Sequence, residues 1–256
     1  MQLHHEVRGS GRPLLILHGL FGSLDNWRAQ SKELGRFFKV YTLDLRNHGN
    51  SPHTDVMSYP AMAEDLREFL SARGLASAFV LGHSMGGKVA MQLATFYPEL
   101  VDKLVVVDIA PKDYPPEHRP IIRALLSVNL QQFHARADVD AALQEKIPDA
   151  RVRGFLLKNL AHVDRGGFDW QMNLKAIHKN YDRLCKTIES RPGPGFGKPA
   201  CFIRGGWSNY VTEIDFGTIV NVFPRVEIRT FGNAGHWVHV DAPERFTETV
   251  SKFLME

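Results

Sequence analysis

The chain predicts an α/β fold, a mostly parallel central sheet flanked by helices with a helical cap inserted, from three observations in its 256 residues. Short apolar runs alternate with longer amphipathic segments, the rhythm of βα units around a parallel sheet. Residues 113–198 break that rhythm, keeping helical spacing but showing no strand. The composition, 44% hydrophobic and 23% charged, supplies enough apolar surface for one large core and excludes global disorder.

Taken in order, an edge strand is expected over residues 3–7, then buried strands over 14–17, 40–43, 79–81, 104–107, 201–203 and 226–231. Most of these runs are continuously apolar rather than alternating, as strands covered on both faces are. Helical spacing falls between them at 26–34, 59–70, 87–96 and 243–254. Within the interval lacking strands, helical patterns fall at 121–128, 139–145, 152–160 and 173–188. Its borders are rich in turn formers, Pro115-Pro116 on entry and Pro192-Gly193-Pro194-Gly195 on exit. The predicted division is a core of residues 1–112 and 199–256 with a cap, or lid, of residues 113–198.

Charge and cysteine content narrow the function. A net charge of +3 without a Lys/Arg block excludes a dedicated nucleic-acid binder. Cys185 and Cys201 cannot build a disulfide framework, and no Cys/His spacing suggests zinc, so free thiols in a reducing compartment and no metal are expected. No window approaches the roughly 18 apolar residues of a membrane span, and the start, Met1-Gln2-Leu3-His4-His5-Glu6, lacks a basic region followed by an apolar one. A soluble cytoplasmic protein without membrane insertion is the expectation.

Gly82-His83-Ser84-Met85-Gly86 carries the chemistry. It matches G-x-S-x-G directly after one strand pattern and directly before a helix pattern, the context in which a serine sits on a strained turn with its hydroxyl exposed above the sheet. A glycine-rich turn with an incidental serine is the plainer reading, and the strand-to-helix placement counts against it. Acyl transfer also needs two donors converging on the developing oxyanion. The amide after the nucleophile, Met85, is one, and an amide of the loop following residue 17, which includes Phe21, is the other. His236 and His239, beyond the last strand pattern, are the candidate bases. The loop after the penultimate strand reads Gly205-Gly206-Trp207-Ser208, with a serine where many such enzymes carry the acid. Asp108 is the substitute, because it closes the strand next to the nucleophile's and emerges on the carboxyl edge where ligands bind. Glu213 and Asp215 are the fallback acids.

These strings resemble those of the α/β-hydrolases, and over nearly its whole length the chain is similar to small bacterial YbfF-type esterases. The resemblance rests on His18-Gly19-Leu20-Phe21-Gly22-Ser23, Asp44-Leu45-Arg46-Asn47-His48-Gly49-Asn50-Ser51, Gly82 to Gly87, Asp108-Ile109-Ala110-Pro111 and Gly235-His236-Trp237-Val238-His239. It implies an α/β-hydrolase fold, a triad of Ser84, Asp108 and His236, and an oxyanion hole of the Leu20 and Met85 amides. His18, His83 and the Arg46 to Ser51 loop then read as scaffold, with His239 packed beneath the site. The implied activity is hydrolysis of short to medium acyl esters, and of acyl-CoA thioesters, through an acyl-enzyme and with no cofactor. The same triad also suits C–C bond hydrolysis or perhydrolysis, and a slow, ligand-sensing relative is a third reading.

For the substrate pocket, Phe21, Trp237, Phe155 and Trp170 are the candidates, with Phe133, Leu156, Phe168 and Met172 as further apolar cap residues. Residues 113–198 carry 14 Lys/Arg against 10 Asp/Glu, so a mildly cationic lid is expected, compatible with an anionic thioester or with an ordinary solvated face.

Overall fold

The computed structural model describes residues 1–163, 166–189 and 195–256. In chain order it contains β1 (His5–Arg8), β2 (Pro13–Leu17), α1 (Arg28–Leu34), β3 (Lys39–Leu43), α2 (Tyr59–Ala72), β4 (Ala78–His83), α3 (Met85–Phe96) and β5 (Val101–Val107). There follow α4 (Arg119–Leu126), α5 (Arg136–Gln144), α6 (Ala150–Leu156), β6 (Leu160–His162), β7 (Phe168–Trp170) and α7 (Leu174–Cys185). The chain ends with β8 (Ala200–Gly205), α8 (Phe216–Val222), β9 (Val226–Phe231), α9 (Val238–Asp241) and α10 (Pro243–Met255).

Seven strands form one sheet in the order β1-β3-β2-β4-β5-β8-β9, parallel throughout except for the antiparallel edge strand β1. The continuous apolar runs are explained by two-sided burial. Leu15, Leu17, Val80, Leu104 and Val106 belong to the core on one face. Their neighbours Leu14, Ile16, Phe79, Leu81, Val105 and Val107 belong to the core on the other. Successive residues of a strand point to opposite faces, so covering both faces requires every position to be apolar. Register then sets the site: Leu17 pairs with Gly82, His83 with Val107, and Val107 with Ile203. The segments following β2, β4, β5 and β8 therefore all emerge at one carboxyl edge.

Between β5 and β8 the structure differs from the sequence reading in one respect. The helical pattern expected over residues 152–160 ends at Leu156, passes through a 3-10 turn at Leu157–Asn159, and runs into the antiparallel hairpin of β6 and β7. Strands of three residues are too short to display a period of two, so Leu160 was absorbed into the helical pattern before it and residues 168–170 announced no strand. The helix α8, between the last two strands, was likewise not expected. Of the exit turn, Pro192, Gly193 and Pro194 lie outside the described residues. Among the described residues no helix is long and apolar enough to cross a membrane.

Candidate active site

Ser84 occupies the single residue between β4 and α3, with φ 53° and ψ −121°. A non-glycine residue at such φ costs on the order of 1–3 kcal/mol and persists only where its surroundings over-determine it. Here they do. The Ser84 amide donates to the Val107 carbonyl at 2.9 Å, tying the turn to the next strand. A Cβ on Gly82 would lie 2.2 Å from the Gly86 carbonyl oxygen, and one on Gly86 would lie 2.5 Å from that of His18. Strand and helix thus meet at backbone distance, which only glycine allows.

Asp108 follows β5 with φ 51° and is buried. Its carboxylate gathers three donors: the Gly205 amide at 3.0 Å, the Ser208 hydroxyl, and His236 Nδ1 at 2.8 Å. The serine found where an acid is common is therefore a partner of Asp108. Sequence reasoning missed that role, although the position of Ser208 after β8 was its visible signal. Neither fallback acid bonds to His236: Asp215 pairs with Lys112 at 2.7 Å, and Glu213 is exposed, 3.8 Å from Arg204.

His236 is held from three further directions. Its ring stacks on Tyr210, centroids 3.9 Å apart and planes 20° from parallel. His83 Nε2 donates to the His236 carbonyl at 2.9 Å. The loop before it is laced to the one after β8, Gly206 N to Phe231 O at 2.8 Å and Trp207 N to Ala234 O at 3.0 Å. His239 instead stacks on Trp27 at 4.2 Å, and burial, with His236 nearby, pulls its pKa down to about 3. His239 makes no bond to Asp108.

The loop after β2 is braced by two histidines that its own sequence does not reveal as a pair. His18 Nδ1 donates to Gly19 O at 2.8 Å while its Nε2 accepts from Leu45 N at 3.0 Å. His48 Nε2 accepts from Phe21 N at 3.2 Å, and its Nδ1 donates to Arg46 O at 3.1 Å. Burial lowers the pKa of His18 to about 4; burial, then the neighbouring His18, lowers that of His48 to about 3. Both rings are neutral at pH 7, each with one donor and one acceptor nitrogen, as this bonding requires. With its amide already committed to His48, Phe21 is unsuited to be an oxyanion donor. Among the described residues the Leu20 and Met85 amides have no protein acceptor.

Ser84, His236, Leu20, Phe21, Phe155 and Trp237 line one cavity of about 640 Å³. Trp170 does not reach it. That residue sits on the hairpin strand β7, with its indole 3.4 Å from the Leu125 carbonyl, and lines a separate cavity with Phe168 and Met172. The expectation of Trp170 as a pocket residue is corrected accordingly: the hairpin, unseen in the sequence, turns it away. Within residues 113–198, Arg119 pairs with Asp182, Arg153 with Asp140 and Lys186 with Asp113, which leaves the segment's cationic excess in place, while Arg151 pairs with Asp241 of the core and Lys179 with Asp55. Arg151 and Lys158 are the cations on the cavity wall. Among the described residues no cluster of His, Cys, Asp or Glu is placed to hold a metal ion.

A parallel sheet, a serine on a strained strand-to-helix reversal, and an imidazole bonded to a carboxylate at the same sheet edge define the α/β-hydrolase class. The family model described as alpha/beta hydrolase fold matches residues 12–243. The sn-1-specific diacylglycerol lipase ABHD11 of Mus musculus is 39% identical over 251 residues, covering 94% of this chain and 80% of the mouse protein. Esterase YbfF of Escherichia coli is 35% identical over 243 residues, 94% of this chain and 92% of that protein. Among solved structures, a marine microorganism esterase superposes with a TM-score of 0.96 at 40% identity, over 98% of this chain and 99% of its own. The chain belongs to the α/β-hydrolase family, as a member of the esterase type.

Proposed function

We propose that the protein hydrolyses carboxylic esters of short to medium acyl chains, and thioesters as well, with Ser84 as nucleophile, His236 as base and Asp108 as orienting acid. The 2.8 Å bond between His236 Nδ1 and Asp108 Oδ2, at the wall of the cavity that Ser84 lines, is the observation that carries this reading. With Nδ1 donating to the carboxylate, the lone pair of a neutral imidazole resides on Nε2, the nitrogen that accepts a proton from the serine. Ser84 Oγ attacks the acyl carbon as Nε2 takes its proton, and the carbonyl oxygen, now negative, turns toward the free amides of Leu20 and Met85. Nε2 returns the proton to the departing alcohol or thiol. Water, deprotonated by the same nitrogen, then attacks the acyl-serine and releases the acid. Residues 113–198 serve as the lid, since Asn159 bonds to the Phe21 carbonyl at 2.8 Å and Phe155 meets Trp237 over the cavity.

The names of the relatives, a diacylglycerol lipase and esterases, support ester over C–C bond substrates. Free Cys185 and Cys201 suit a reducing, cytoplasmic setting. The test is rapid mixing with p-nitrophenyl acetate: a stoichiometric burst of p-nitrophenol, abolished in Ser84→Ala, is expected. A protein without a burst, and unlabelled by a fluorophosphonate, is not a serine hydrolase.

A further inference from the structure

Ser84 faces two cavities of unequal size, about 640 Å³ and about 60 Å³. Leu20, His118 and Tyr210 line both, and so form the partition between them. That partition is stiff. His118 Nδ1 lies 3.1 Å from the Tyr181 hydroxyl, its backbone amide donates to the same oxygen at 2.8 Å, and its Nε2 lies 3.4 Å from the Tyr210 hydroxyl. The Tyr210 carbonyl in turn accepts from Tyr114 at 2.7 Å. The wall of the small cavity is equally fixed. There Lys88 Nζ donates to the carbonyls of Lys112, at 2.8 Å, and Lys186, and lies 4.8 Å from the centre of the Tyr114 ring.

The reaction's stereochemistry distributes the substrate between the two. The group that protonates the leaving oxygen must be within hydrogen-bond reach of it, so that oxygen lies on the imidazole's side of the tetrahedral carbon. His236 lines only the large cavity, whereas Met85, whose amide is free for the oxyanion, lines only the small one. We infer that the alcohol or thiol portion occupies the large cavity and the acyl chain enters the small one, making this an esterase for short acyl groups carried on bulky, apolar leaving groups. An apolar cavity of about 150 Å³ admits a benzene ring. One of about 60 Å³ admits a chain of about two or three carbons beyond the carbonyl. Leu184 and Ile109 are its apolar walls.

The inference rests on the triad reading above, and the experiment separates the two. kcat/KM is measured for p-nitrophenyl acetate, butyrate and octanoate, and for methyl against 1-naphthyl acetate. A fall of about 10²-fold or more from butyrate to octanoate is expected, because four further methylenes have no space. Naphthyl acetate should exceed methyl acetate by more than their chemical reactivity accounts for. Leu184→Ala should raise the octanoate-to-acetate ratio about tenfold, while Phe155→Ala leaves that ratio in place and weakens the naphthyl preference. Octanoate turned over as well as acetate, with a normal burst, would overturn the partition and leave the hydrolase standing. Loss of both burst and fluorophosphonate labelling strikes the triad reading instead. Should Leu184→Ala fail to fold, the wild-type acyl series decides alone.

Discussion

Mild acid is the perturbation to which this fold is most exposed. Five imidazoles are held neutral, four of them buried and His118 half-buried: removal from solvent brings His18 and His118 down to about 4 and His48 and His239 to about 3, and holds His83 well below its ordinary 6.5. In the unfolded chain all five take up protons as pH falls through about 6.5, whereas the folded protein resists until about 4 or lower. Their contribution to stability is therefore complete above pH 6.5 and is lost progressively between 6.5 and the folded values. Each group costs a little over 1 kcal/mol per pH unit across that window, so at pH 5.5 the five together remove about 5–7 kcal/mol. That is comparable with the whole stability of an ordinary domain, about 5–15 kcal/mol. Asp44, raised by burial, works in the opposite direction, but it is one group against five. The loss is also local to the site, since a protonated His48 or His18 presents a second N–H to the Phe21 or Leu45 amide and can no longer anchor the loop after β2. Calorimetric melting from pH 8 to pH 5, with proton uptake measured in two buffers of different ionisation enthalpy, tests this. Tm should be level above about 7 and fall steeply below 6.5, with several protons bound on unfolding. A Tm unchanged between pH 7 and 5.5 would refute the reasoning.

Further expectations concern the site. Asp108→Asn should lower kcat by about three to four orders of magnitude with near-native circular dichroism, because the amide cannot enforce the productive tautomer of His236; near-wild-type turnover would return the choice to Glu213 or Asp215. Ser208→Ala, which removes one of three donors on the same carboxylate, should cost about tenfold in kcat or less, and a loss as deep as that of Asp108→Asn would mean that Ser208 does more than steady Asp108. Gly82→Ala forces a methyl to 2.2 Å from a backbone oxygen and should destabilise the fold by several kcal/mol, read as a lower urea midpoint. For the thioester reading, kcat/KM for an acyl-CoA should fall with added salt more than that for a neutral ester of the same acyl chain; parallel responses would show that Arg151 and Lys158 attract nothing.

The local rules were sufficient wherever the chemistry is written in adjacent residues. Periodicity located all seven strands of the sheet, and the glycines around Ser84 announced a backbone too close for side chains, as the contacts of Gly82 and Gly86 bear out. The place of Asp108 at the carboxyl edge of the sheet was legible because a strand's end is a position in space as well as in sequence. What local rules did not reach were contacts between distant segments. Tyr210 under the His236 ring, Ser208 on Asp108, His48 on the Phe21 amide and His118 between two cavities join residues that no spacing relates. The short hairpin that carries Trp170 away from the cavity escaped for the complementary reason, that three residues hold too little periodicity to announce a strand.

The sequence by itself determined the alternation of strands and helices, the turn that exposes Ser84, and the restricted set of histidines and carboxylates able to serve it. Tertiary structure alone decided which imidazole meets which carboxylate, which amides are left unpaired, and how the space beside Ser84 is divided. The physical reason is range. Backbone strain and apolar periodicity act over a few residues and leave their mark in composition, whereas hydrogen bonds and cavity walls depend on where packing delivers segments from 26 to 128 residues apart.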